Sequence, residues 1–213
     1  MTKDIVIVGA GGLSTEVLFL IKEINKKKKL WNVLGFIDND KIGSEINNFP
    51  VLGNDKWLFN KKEKINVVFG IGNPSLVKKL ANLYSVYDFI EFPNIIHPSV
   101  IGDWNNISIG RGNIITAHTI LTTSITIGNY NYVNLATTIA HDVKIGNYNI
   151  INPQVKISGG VKIDNEILLG TGSIILQNNS ICSKCVIAAG AVVTRKIDKP
   201  GTYIGSPAKS FFN

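Results

Sequence analysis

From Ile109 onward, every sixth residue of the chain is aliphatic. The series runs Ile109, Ile115, Leu121, Ile127, Val133, Ile139, Ile145, Ile151, Ile157, Ile163, Leu169, Ile175, Ile181, Ile187 and Val193, fifteen positions without a slip. A helix repeats every ~3.6 residues and a plain strand every two, so neither accounts for the step. A six-residue repeat is the mark of a parallel β-helix, in which short strands form the faces of a prism. Two places before many of these aliphatics stands a small or β-branched residue: Thr119, Thr137, Val143, Val155, Val161, Ser173, Cys185 and Ala191. Such side chains suit the corners of a narrow interior. Glycine follows the aliphatic at 110, 128, 146 and 170, where the chain must turn. Three hexapeptides make one triangular coil, so the run holds five coils. Residues 95–108 (IIHPSVIGDWNNIS) are expected to add an opening coil in a register shifted by two. The handedness does not follow from the spacing.

Residues 1–90 have a different period. KDIVIVGAGG reads as a buried strand ending in a glycine turn, and Ser14 to Lys26 as a helix with Val17, Leu18, Ile21 and Ile24 on one stripe. WNVLGFIDND and INVVFGIGN read as two more strands, and Pro74 to Leu83 as a helix with proline in its first turn. Strand–helix–strand alternation implies a small parallel sheet with helices packed on it. The chain therefore divides into residues 1–92 and residues 93–213, the second ending in a C-terminal tail.

The chain has 213 residues, 45% hydrophobic and 17% charged, which excludes a disordered chain. It holds no apolar run of the ~18 residues that would span a bilayer. MTKDIVIVGAGG lacks the parts of a signal peptide, so a cytoplasmic location is expected, without membrane insertion. The net charge of +7 owes much to Lys26 to Lys29 and to Lys61, Lys62 and Lys64, read as a solvated helix end and a solvated loop. Basic and aromatic residues are not interleaved, so no nucleic-acid partner is expected. Cys182 and Cys185 are spaced C-x-x-C with no second pair, which argues against zinc, and no metal is expected. Lying within the repeat, they read as inert structural residues.

The chain resembles the bacterial sugar acyltransferases that join an N-terminal nucleotide-sugar domain to a β-helix, among them the nucleotide 4-amino-sugar N-acetyltransferases and the sialic acid O-acetyltransferase-like proteins. The resemblance covers essentially the whole chain. It rests on VIVGAGG at 6–12, GFIDND at 35–40, FGIGNP at 69–74, IHPSVIG at 96–102, IAHD at 139–142 and GSPAK at 205–209. It implies a Rossmann-like first domain, a left-handed coil in the second, and a homotrimer with active sites between subunits. Acetyl-CoA is the implied co-substrate, lying along the groove between prisms. Packing prisms side by side also compensates for the little surface that a narrow prism buries alone.

Of the three histidines, His97 precedes Pro98 and reads as structural, and His118 reads as a surface residue or a trimer contact. His141 has Asp142 beside it. An amine or hydroxyl attacking a thioester must lose a proton, and a neutral imidazole is suited to taking it near pH 7. A carboxylate orients such a ring. The family match at IAHD assigns His141 as general base and Asp142 as its orienter, on its own neighbour's ring or across a subunit interface. Gly159 lies eighteen residues on, one full coil, where the resemblance implies a backbone N–H reaching the thioester carbonyl. The resemblance also places Thr171 and Ala189 on the pantetheine arm, Lys209 near the CoA phosphates, and Asn134 near the acceptor.

GAGGLS is a glycine turn entering a helix, and Gly11, Gly12, Leu13 and Ser14 offer N–H groups to a diphosphate. As a dinucleotide fingerprint it fails at Ser14, which argues against an NAD enzyme. Asp38 and Asn39 match family positions near the base and ribose, and Asn73 closes the same crevice. Two family histidines are absent: Leu13 stands in place of one and Ile150 of the other. The expected acceptor is the amino group of a nucleotide-linked amino sugar feeding a surface glycan. The alternatives are a hydroxyl of a sialic acid or another sugar, and an inactive nucleotide-sugar-binding scaffold.

Overall fold

In the computed structural model of the chain, which describes residues 2–211, the six-residue step is also written in the backbone. Every sixth residue from Gly112 to Gly190 has φ between 54 and 70°, fourteen positions in all. Each lies three residues after an inward aliphatic. Ten of them are not glycine: His118, Ser124, Tyr130, Ala136, Asp142, Tyr148, Gln154, Glu166, Asn178 and Lys184. A left-handed residue with a side chain costs roughly 1–2 kcal/mol. The corner recovers this through its backbone. The N–H of Asp142 donates to Thr123, Tyr148 to Asn129, Gln154 to Leu135, Gly160 to His141 and Glu166 to Asn147, always a carbonyl nineteen residues earlier.

Between corners run strands of two to four residues, stacked in parallel on three faces. The first face holds Ile114–Ile115, Tyr132–Val133, Ile150–Ile151, Leu168–Leu169, Cys185–Ile187 and Gly201–Ile204. The second holds Ile101–Gly102, Ile120–Leu121, Thr138–Ile139, Lys156–Ile157, Ile174–Ile175 and Val192–Val193. The third holds Ile107–Ile109, Ile125–Ile127, Lys144–Ile145, Lys162–Ile163 and Ser180–Ile181. Partners are eighteen residues apart, as in Val133 with Ile151 and Ile139 with Ile157. From Ile115 to Val193 every aliphatic of the series is buried, and so is every corner residue named from the sequence, Thr119 through Ala191.

The opening coil corrects one expectation. Ile101 pairs with Ile120, nineteen residues on, while Ile107 pairs with Ile125, eighteen on. The shift is one residue, not two. The extra residue is taken up in the turn at Asp103–Asn106, where the Asp103 carboxylate accepts from Thr123 Oγ1 at 2.7 Å and Asn106 Nδ2 at 2.7 Å.

The corner between the third and first faces carries two ladders of asparagine. Inside, Asn131 donates N–H and Nδ2 to Asn113 Oδ1, and Asn149 donates both to Asn131 Oδ1, at 2.9 and 3.0 Å. Their Nδ2 groups also reach the carbonyls of Gly146 and Asp164. Outside, Asn129 donates in the same way to Asn147, and Asn147 to Asn165. Glycine stands at 128 because a Cβ there would lie 2.6 Å from Asn147 Oδ1 and 2.5 Å from the Gly146 carbonyl.

The other compact unit ends at Pro98, with Ser99 beginning the β-helix unit. Ile95, in the segment ahead of that boundary, is fully buried. The elements are β1 (Lys3–Val8), α1 (Gly12–Lys27), β2 (Trp31–Ile37), β3 (Glu45–Ile46), β4 (Phe49–Gly53), α2 (Asp55–Phe59), β5 (Ile65–Phe69), α3 (Pro74–Tyr84) and β6 (Ile90–Glu91). They build a six-stranded sheet in the order β3-β4-β2-β1-β5-β6, parallel except for the β3–β4 hairpin. The hairpin turns on Asn47 and Asn48, both at positive φ, as a two-residue turn requires. Ile5, Val6, Ile7, Phe36, Val67 and Val68 form the buried centre.

The inner ladder makes a stability prediction. Asn131→Ala leaves the Asn149 N–H and the Gly146 carbonyl without their partner, while the N–H of residue 131 still donates to Asn113 Oδ1. Each orphaned buried group costs about 1–3 kcal/mol, so the variant is expected to lose about 2–4 kcal/mol. A thermal midpoint equal to that of the parent protein, read by circular dichroism, would refute the ladder's role.

Candidate active site

His141 and Asp142 form the corner between the second and third faces. Asp142 has φ 61°, a conformation that short polar side chains tolerate. There its Oδ2 lies 2.8 Å from His141 Nδ1 in the same chain. Within the chain, the aspartate reaches its own neighbour's ring. An ionised carboxylate only accepts, so Nδ1 carries the proton and Nε2 is left with a free lone pair. Both side chains are 65% exposed, so the pair faces solvent with the basic nitrogen available.

Gly159 lies directly beneath on the next coil. A Cβ at 159 would sit 2.6 Å from His141 Cε1 and 2.6 Å from Nε2. The ring therefore rests on the glycine, and no other residue fits without displacing it. Gly160 N–H donates to the His141 carbonyl at 2.9 Å, and the Gly159 carbonyl accepts from Asn178. The Gly159 N–H has no acceptor among the described residues. The site thus joins a base, an orienting carboxylate and an unengaged N–H beside the base.

Thr171 and Ala189 are exposed and stacked on each other's coils, with Gly190 N–H donating to the Thr171 carbonyl at 2.9 Å. They occupy the corner between the first and second faces, and so does Asn134. One whole face separates them from His141 and Gly159. Asn134 is largely buried, its Oδ1 accepting from Leu135 N–H at 2.7 Å. His118 is an exposed left-handed residue of this same corner. Lys209 is exposed on a short strand antiparallel to Gly201–Ile204. Ile150 is buried, so no titrating group stands at that position.

In the first unit, β2, β1 and β5 lie side by side, and their carboxyl ends bring Asp38, the glycine turn and Asn73 to one edge. The chain leaves β1 toward β2 on one side and returns at β5 on the other, which opens a crevice between the connections. Gly11 and Gly12 are exposed, with nothing within 4 Å of a Cβ built on either. Leu13 is half-buried. Ser14 is fully buried and donates to the Gly70 carbonyl at 3.0 Å, so its hydroxyl serves packing and only its N–H faces the helix end. A Cβ on Gly70 would lie 2.6 Å from Ser14 Cα. The close helix–strand approach that a third glycine gives a dinucleotide fold is supplied here by Gly70 of the facing strand. Asp38 is half-buried and accepts from Asp40 N–H, Asn39 is exposed, and Asn73 caps α3 by accepting from Leu76 N–H at 3.1 Å.

Lys41 was not anticipated from the sequence. Its Nζ reaches back to the Ala10 carbonyl at 2.8 Å and so brings a cation to the glycine turn. The signal for it is a lysine three residues after the acidic strand end at Asp38. Among the described residues, no group of three or more His, Cys, Asp or Glu is placed to hold a metal, and no helix is long and apolar enough to cross a membrane.

Residues 4–84 match the PglD N-terminal domain family. No curated protein matches the chain by sequence. In fold it is similar to the acetyltransferase domain of PglB from Neisseria gonorrhoeae FA1090, at 25% identity and a TM-score of 0.90, covering 99% of this chain and 100% of that one. That domain is also known in complex with acetyl coenzyme A. WeeI from Acinetobacter baumannii AYE is 28% identical with a TM-score of 0.88, covering 99% and 100%. A histidine variant of perosamine N-acetyltransferase from Caulobacter crescentus, bound to CoA and GDP-perosamine, is 24% identical with a TM-score of 0.90, covering 100% and 99%. The resemblance to an acetyltransferase and the expected two-part fold both hold along the full length.

The cysteines differ from each other. Cys185 points inward and is buried, while Cys182 is half-exposed, their Sγ atoms 3.6 Å apart. Burial first, and Cys182 next, push the Cys185 thiol up to about 12. The thiolate is the reactive form, so at pH 8 the Cys185 thiol is held in its unreactive state. Alkylation of the native protein is expected to stop at one thiol per chain, at Cys182, with Cys185 reacting only after unfolding. Comparable labelling of both in the native state would contradict the inward placement.

Proposed function

We propose, on the premise that a chain matching sugar acetyltransferases over its whole length shares their chemistry, that this protein is an acetyl-CoA-dependent N-acetyltransferase. Its acceptor is the amino group of a nucleotide-linked amino sugar destined for a surface glycan. The observation that carries the reading is the His141–Asp142 pair resting on Gly159, whose N–H is unengaged.

The acceptor amine attacks the thioester carbonyl, and His141 Nε2 takes the proton the nitrogen must lose. Asp142 holds the ring in the tautomer that leaves Nε2 basic and balances the imidazolium that forms. The carbonyl oxygen gains negative charge as the tetrahedral intermediate forms, and the Gly159 N–H is the donor beside it. Collapse breaks the carbon–sulfur bond, and His141 returns its proton to the departing thiolate. Thr171 and Ala189 contact the pantetheine arm, Lys209 the CoA phosphates, and Asn134 the acceptor. The diphosphate rests on the N–H groups of Gly11, Gly12, Leu13 and Ser14, with Lys41 offsetting its charge, while Asp38, Asn39 and Asn73 line the nucleotide pocket.

The separation of Thr171 and Ala189 from His141 by one face supports a site built between two copies. A single prism cannot present both corners to one extended ligand. A second copy brings the first corner of one chain against the second corner of another, and a homotrimer closes the ring.

The test is thiol release from acetyl-CoA against a panel of nucleotide-linked amino sugars and free sialic acids. His141→Ala is expected to lower kcat by about 10²–10⁴ with KM little changed. Gly159→Ala is expected to lower it at least about tenfold by pushing the ring off position. Near-parental turnover in His141→Ala would overturn the base assignment. A base-labile ester product from a sialic acid would replace the N-acetyl reading with O-transfer.

A further inference from the structure

Two lysine runs far apart in the sequence meet at one edge of the first unit. β2, β1, β5 and β6 are neighbours and parallel, and their starts line one end of the sheet. Lys3 pairs with Trp31, Ile5 with Asn66, and Ile65 with Ile90. Lys28, Lys29 and Leu30 lead into β2, Lys3 begins β1, and Lys61, Lys62 and Lys64 lead into β5. α1 crosses back over the sheet and ends at Lys26 and Lys27, at the same end. Neighbouring strands are ~4.8 Å apart, so the starts of β2 and β5 lie only ~10 Å from each other. That is about one Debye length at 0.1 M salt, so the two runs present adjacent charge to a surface laid against this end.

The patch has eight lysines: Lys3, the four from Lys26 to Lys29, Lys61, Lys62 and Lys64. The carboxylates at this edge are Asp4, Glu23, Glu63, Asp88 and Glu91. Glu23 pairs with Lys26 and Glu91 with Lys64, Asp4 accepts from Asn32 Nδ2, and Lys61 lies over the Trp57 ring. Three positive charges remain in excess, with Lys28, Lys29 and Lys62 exposed. The opposite end of the sheet carries Asp38, Asp40, Glu45 and Asp55 against Lys41 and Lys56. The unit is therefore polarised, its basic end facing away from the glycine-turn crevice.

We infer that this basic edge docks the protein on an anionic lipid bilayer, with the crevice left open to solvent. The chemistry favours lipid over nucleic acid. Residues 1–98 hold thirteen lysines and no arginine. Lysine is a point charge that follows a diffuse surface potential, whereas arginine is the residue that reads individual phosphates by paired hydrogen bonds. The apolar side chains exposed at this edge are aliphatic, Leu30 at 37% and Val86 at 74%, which suits the headgroup boundary. The inference is independent of the proposed reaction.

Each basic charge near an anionic leaflet is worth roughly fivefold in partitioning, so an excess of three gives about a hundredfold preference over neutral lipid. The experiment is sedimentation of the full chain with phosphatidylcholine vesicles and with vesicles containing a third phosphatidylglycerol. Lys28→Glu/Lys29→Glu/Lys62→Glu is run in parallel. Binding to the anionic vesicles only, lost at high salt and lost in the triple variant while the thermal midpoint is kept, supports docking. Absence of binding by the parent protein at low salt overturns it, and so does equal binding by the triple variant. Equal affinity for duplex DNA with the same lysine dependence would overturn the lipid assignment in favour of a nucleic acid.

Discussion

One backbone hydrogen bond recurs through the second unit and makes the rest possible. It runs from the N–H of a left-handed corner residue to the carbonyl nineteen positions earlier, as in Asp142 to Thr123 and Gly160 to His141. A left-handed residue with a side chain costs roughly 1–2 kcal/mol, and a net hydrogen bond returns about 1. The aliphatic burial that the corner permits supplies the remainder. Because the backbone closes the corner, the side chain there is unconstrained by the fold. Alanine, tyrosine, glutamine, lysine and aspartate all occupy equivalent corners. That freedom lets one corner among many carry chemistry without disturbing the prism.

Stacking fixes the neighbours of any side chain, since the residues above and below it lie eighteen positions away. The His141 column reads Thr123, His141, Gly159 and Gln177. Within it, the glycine is what makes room for the imidazole ring. The same logic favours a corner over a face for the proposed reaction. On the third face, Lys144 and Lys162 sit opposite each other on adjacent strands, so each outward side chain is flanked by its neighbours. At the corner, Gly159 has no side chain, and its N–H is left for a ligand.

The prism was legible because aliphatic burial leaves a periodic record that needs no partner to interpret. So was the closeness of His141 and Gly159, since eighteen residues is one coil. The asparagine ladders were not. In GNYNYVN and GNYNIIN, asparagine reads as turn chemistry, and only the partner eighteen residues away reveals that Asn113, Asn131 and Asn149 lie inside. The one-residue slip of the opening coil depends on the Asp103 turn and its Thr123 contact, again a long-range pairing. In the first unit, Ser14 looked like a broken fingerprint because the compensating Gly70 is on another strand. Lys41 escaped notice because a surface lysine is ordinary until its ammonium is found on the Ala10 carbonyl.

The two units solve the handling of charge in opposite ways. On the β-helix, His141 gets its carboxylate from the next residue, a pairing that the φ of Asp142 makes local and cheap to keep. In the first unit, charge is sorted over the length of the sheet, with acids around the crevice and lysines at the far edge. An acidic rim is a poor place for a diphosphate unless something local reverses the field. The N-terminus of α1, the exposed N–H groups of Gly11 and Gly12, and the Lys41 ammonium beside them do so within the few ångströms where a phosphate would rest. In the proposed binding mode the acids of the rim then disfavour an anion anywhere but at the turn itself.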